Sequence, residues 1–92
     1  MKIEHFDSVF DAIEDDPVEA RHLKLRAQLM RALQDHILAG QLTQAEAARL
    51  LRVSQPRISD LLAGKLHLFS IDMLVRMLAR TGRQVTMRIK AA

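Results

Sequence analysis

Ser54, Gln55, Pro56, Ser59 and Asp60 stand within one short stretch, with Arg57 among them and Lys65 and His67 just beyond. Their chemistry suits a base edge better than a catalytic step. A Gln amide bonds adenine N6 and N7 together, a Ser hydroxyl donates or accepts, an Asp carboxylate accepts from cytosine N4, and Arg57 can hold a guanine or a phosphate. Asp60 also repels phosphate, so it either reads a base or forms only the polar outer face of a helix. An enzyme is the weakest reading. His5, His22, His36 and His67 fall at spacings that put no two on one helical face as i, i+4 ligands, and the chain has no cysteine. The acids near the N-terminus lack the fixed spacing of a calcium loop. No catalytic residue, metal or cofactor is expected, and His22 and His36 read as surface or rim residues of a helix.

These side chains need helices to aim them. Asp16-Pro17-Val18-Glu19 starts a long first helix: Asp16 caps, Pro17 suits the first helical position and Glu19 sits where a capping box places its acid. Leu25, Leu29, Leu33 and Ile37, with Met30 beside them, give it one apolar stripe, and Gly40 supplies the stop. Thr43-Gln44-Ala45-Glu46 is a Thr-x-x-Glu capping box opening a short helix that buries Ala47 or Ala48 with Leu50 and Leu51. Ser54 caps another, with Pro56 tolerated in the first turn, Ile58, Leu61 and Leu62 inward and Gly64 at the end. Ser70 caps a fourth, with Ile71, Leu74, Val75 and Leu78 on one side and Gly82 as terminator. With Ile58 pointing inward, Pro56, Ser59 and Asp60 point most nearly outward; Arg57 lies to one side, and Gln55 reaches a base edge from the first turn. Two short helices joined by a tight turn, small residues in the first and polar ones outside on the second, make a device for entering a major groove.

After Gly82 the apolar period changes from helical to alternating. Val85, Met87 and Ile89 interleave with Thr86, Arg88 and Lys90, which predicts a half-buried strand that must pair with a symmetry mate, the N-terminal segment or another protein. The segment containing Phe6, Val9, Phe10 and Ile13 is apolar enough to dock but is not assigned an element.

Length and composition bound the rest. Ninety-two residues, 49% hydrophobic but 3% aromatic, suit one small all-α domain built from strong helix formers. Three parts are expected: an acidic segment over 1–16, the helical domain over 17–82 and a strand or tail over 83–92. The net charge of +3 conceals a division. Residues 1–20 hold Lys2 against seven acids, a balance of −6, whereas residues 21–92 hold 13 bases against four acids, +9. A basic body fits a polyanion, since each phosphate neutralised releases counterions. With no signal peptide, membrane span or cysteine, a cytoplasmic location is expected.

The run from Leu42 to Leu51, followed by Val53 to Lys65, resembles the Xre/Cro-type helix-turn-helix of phage repressors. Ser54 to Leu62 with Phe69-Ser70, and upstream Ser8-Val9-Phe10 and Leu25 to Met30, resemble its HigA-like antitoxin branch, so the likeness spans residues 8 to about 89. It implies a lambda-repressor-like bundle of four to five helices, to which the alternation after Gly82 adds a short C-terminal β-strand. By position, it implies that Gln44 bonds a phosphate, that Ser54, Gln55, Pro56, Ser59 and Asp60 face bases, and that Arg57, Lys65 and His67 lie along the sugar-phosphate backbone. It further implies a homodimer on a palindromic double-stranded operator, acting as a repressor, and a RelE-like toxin as protein partner. Arg52 departs from the pattern: most relatives have Gly at this turn, and Arg52 could there meet a phosphate or simply face solvent. The alternatives are a stand-alone regulator without a toxin and, less favoured by the basic body, a module that binds only protein.

Overall fold

The computed structural model describes residues 16–91. The expected acidic segment up to residue 15, including Phe6, Ser8, Val9, Phe10 and Ile13, lies outside the described residues. Four α-helices and one 3-10 turn follow in order: α1 Pro17–Ala39, α2 Gln44–Leu51, α3 Gln55–Leu62, the turn Leu66–Leu68, and α4 Ile71–Ala79. Each α-helix starts where a short polar side chain relieves an unpaired backbone donor. Asp16 accepts from the Val18 N–H at 2.9 Å, and Ser54 and Ser70 accept from the Arg57 and Met73 N–H groups at 3.2 and 3.1 Å. Thr43 and Glu46 form the full reciprocal box.

The helix ends share a device that the glycine pattern conveys only in part. In α1, Gly40 keeps a right-handed helical conformation and Gln41 takes the left-handed one at φ 52°. Gly40 is therefore not the residue that turns the chain. The reason is register: the Leu42 N–H reaches back to the Ile37 carbonyl at 3.1 Å, which requires the left-handed residue to stand just before Leu42. Arg52 at φ 56° and Gly64 at φ 74° occupy the same place, with Val53 bonding back to Ala48 and Lys65 to Asp60.

The core is one cluster. α1 packs chiefly on α4, α2 on α3, and α1 also touches α3 and the 3-10 turn. Leu29, Met30, Leu33 and Ile37 of α1 meet Ala47, Leu51, Ile58, Leu61, Leu66, Phe69, Leu74, Met77 and Leu78. Of the other expected core residues, Leu62, Ile71 and Val75 pack partly buried against it, whereas Leu25 and Leu50 are 44% and 39% exposed. A four-residue step advances about 40° beyond a full turn, so Leu25 lies about 80° away from a face centred on Leu33. Leu50 is similarly turned away from the line through Ala47 and Leu51. Among the described residues no helix is long and apolar enough to cross a membrane.

The expected C-terminal β-strand is not formed; residues 83–91 carry no regular structure. Val85, Met87 and Ile89 are 37%, 78% and 89% exposed. A strand exists only by hydrogen bonding to a neighbour, and the described remainder of this chain is helix and turn, offering no edge to pair with.

Candidate nucleic-acid interface

α2 and α3 make the centre of the site. Ala47, completely buried, lets the two helices approach closely, and Ile58 and Leu61 anchor α3 from beneath. Pinning those two residues inward turns Gln55, Pro56 and Ser59 out into solvent, with Ser54 exposed at the cap. Gln44 is exposed in the first turn of α2, and Arg52 is exposed on the connecting turn. The side chains of Gln44, Arg52, Gln55, Ser59 and His67 have no hydrogen bond or ion pair among the described residues. No acid stands in the first turn of α3, so nothing there cancels the positive end of the helix.

Arg57, in the first turn of α3, and Asp60 differ. Arg57 is half-buried: its Nη1 donates to the Leu68 carbonyl at 3.2 Å, and its guanidinium lies 5.4 Å from the centre of the buried Phe69 ring. The resemblance implies a place for Arg57 along the sugar-phosphate backbone; in the free protein it rests on the segment that follows α3. Asp60 is half-buried and pairs with Lys65 at 3.5 Å, so an expected base reader and an expected phosphate binder neutralise one another in the free protein.

Two residues to which the sequence reading gave no role brace the C-terminal end of α3 and the segment after it. Gln34 of α1 donates from Nε2 to the Leu61 carbonyl at 2.8 Å, occupying an acceptor at the C-terminal end of α3. Arg26 of α1 donates from Nη1 to the carbonyls of Phe69 and Leu66 at 3.2 and 3.4 Å, and its Nε is buried without a partner. The available signal was a polar residue within an apolar stripe: Arg26 lies one turn before Met30, and Gln34 follows Leu33.

A short capped helix laid across a second one, with an exposed polar face and a separately braced rear, defines a helix-turn-helix DNA-binding domain. The helix-turn-helix domain family model matches residues 12–90. A solved structure described as an XRE family transcriptional regulator is similar with a TM-score of 0.75 and 31% sequence identity, the match covering 80% of this chain and 83% of that one. No curated protein sequence matches the chain. The chain belongs to the Xre-type helix-turn-helix family of DNA-binding transcriptional regulators.

Proposed function

We propose that the protein is a sequence-specific repressor that binds a palindromic operator as a homodimer. In this reading Gln55, Ser59 and Pro56 of α3 face base edges, Ser54 borders them, and Gln44, Lys65, His67 and Arg52 lie toward phosphates. The observation that carries it is the exposed, internally unpartnered pair Gln55 and Ser59 on a helix whose inward face is fixed by Ile58 and Leu61. Asp60 joins the readers when Lys65 moves from its carboxylate to a phosphate, freeing it to accept from a cytosine amine.

Gln55→Ala tests the assignment by fluorescence anisotropy on an operator selected from random DNA. It should lose about 1–3 kcal/mol on the selected site and relax preference at one base pair, with binding to random DNA unchanged. Equal losses on both DNAs would remove Gln55 from the base-reading set.

The finer role proposed is that of the antitoxin of a type II pair, repressing its own operon and neutralising a RelE-like toxin. Its support is the resemblance of Ser54 to Leu62 and Phe69-Ser70 to the HigA-like branch. Co-expression with the product of an adjacent small basic gene tests it: growth arrest by that product alone, relieved by this chain, supports the role, and no arrest leaves a stand-alone repressor.

A further inference from the structure

Beyond Gly82 the chain leaves the helical core as nine residues whose backbone makes no hydrogen bond to any other described residue. Arg83, Gln84, Val85 and Thr86 border a cleft of about 310 Å³ with Leu29 and Ala32 of α1 and Leu78 of α4, so the segment starts on the core and then runs into solvent. It alternates apolar and polar residues and carries Arg83, Arg88 and Lys90 with no acid. Like charges directly opposed across a pair of such segments would repel. Whether they are opposed is a matter of register.

We infer that this segment pairs antiparallel with the same segment of a second copy, about a two-fold axis through Met87. The inference rests on the homodimer in the proposed function and supplies its interface. An axis at Met87 sets Val85 opposite Ile89, Thr86 opposite Arg88, Gln84 opposite Lys90 and Arg83 opposite Ala91. Every cation then faces an uncharged residue, and the Val, Met and Ile side chains of both copies share one face, because directly opposed residues of an antiparallel pair point the same way. Other registers are worse. An axis at Arg88 stacks the two guanidiniums, and one at Thr86 sets Arg83 against Ile89. Half-steps set Met87 against Thr86 or Arg88, mixing the faces. A segment that meets the two-fold condition at every position has its complement in itself, which is what an isologous interface requires. The pairing also satisfies the backbone groups on the edge of each segment that faces its partner.

The absence of native cysteine allows a direct test with the single variants T86C, M87C and R88C in the full chain. Met87 and its neighbours are exposed, so the substitutions do not touch the core. Opposed Cα atoms in an antiparallel pair lie about 4.5–5.5 Å apart, inside the range a disulfide spans. A two-residue offset exceeds about 7 Å and falls outside it. On mild oxidation M87C should become a covalent dimer, T86C and R88C alone should not, and an equimolar mixture of T86C with R88C should cross-link as a mixed dimer. Cross-linking of T86C or R88C alone overturns the register. A dimer by sedimentation in which none of the three cross-links places the interface elsewhere and leaves the homodimer reading intact. A monomer at operator-saturating concentration overturns both.

Discussion

The front of the DNA-binding motif, from Thr43 to the exposed side of α3, and its rear, from Arg57 through Phe69, are built on different principles. At the front the contacts are local: Thr43 with Glu46, and Ser54 with the Arg57 N–H, each span three residues. Gln44, Gln55 and Ser59 there have no internal partners. At the rear the contacts are distant: Arg26 reaches carbonyls 40 and 43 residues away, and Gln34 one 27 residues away. The division separates two demands. Side chains that meet a ligand in the proposed function are left free on a helix whose start is fixed locally, while the angle of that helix is held from α1 by Arg26 and Gln34, which are engaged on main-chain carbonyls.

Substitutions at the rear should therefore cost stability first. The largest effect is expected for Phe69→Ala, which empties a site only 1% exposed beneath Arg57. Denaturant melts should show a loss of about 3–5 kcal/mol, and Phe69→Leu, which preserves most of the volume, about 1 kcal/mol. A loss under about 1 kcal/mol for Ala would mean that Phe69 does not support the rear. Arg57→Ala comes next: it removes a charge-assisted bond and a ring contact at a partly exposed site, so a loss of about 1–2 kcal/mol is expected. Its DNA affinity should fall alike on all sequences with the salt dependence unchanged. A salt slope shallower by about one counterion would instead show that Arg57 exchanges Leu68 for a phosphate.

The same contrast explains what could be read from the sequence. Thr43, Glu46, Ser54 and Ser70 act within one turn of themselves, and their roles were legible. Ile58 and Leu61 follow from helical period. Arg26 and Gln34 were not legible, because a polar residue in a stripe has meaning only once the carbonyl it meets is known, and Leu61, Leu66 and Phe69 are brought there by the fold. The resting contacts of Arg57 were not legible for the same reason: Phe69 and the Leu68 carbonyl are brought beside it only by the fold. The strand over Val85 to Ile89 was read from a sound alternation, but pairing depends on a neighbour that one chain does not contain.

Arg52 lies on the front and should respond in the opposite direction. It holds a left-handed conformation at φ 56°, where its Cβ is strained, and its side chain has no internal partner to offset that strain. Arg52→Gly should raise stability by about 1 kcal/mol in thermal melts. An unchanged DNA salt slope in the same variant would make Arg52 a solvent-facing residue, and a slope shallower by about one would make it a phosphate contact.

The smallest effect concerns the charge in the capping box. Glu46 has its pKa lowered, first by the Thr43 N–H donating to its carboxylate at 2.8 Å, then by the Thr43 hydroxyl and more weakly by the nearby Arg49. Exposure of the group keeps the effect modest. Since the folded form holds its proton less tightly than the unfolded chain, the unfolded chain binds more protons as the solution is acidified, and stability declines. The contribution of Glu46 is thus complete above the usual carboxylate range and disappears as pH falls through its lowered folded value. Glu46→Gln retains an oxygen that can accept from the Thr43 N–H but does not titrate. Melts from neutral to strongly acidic pH should therefore show the variant slightly less stable than the native chain at neutrality, with the gap closing on acidification. A constant gap would mean that the box acts by geometry alone, and the front of the motif would then owe its pH dependence to other acids.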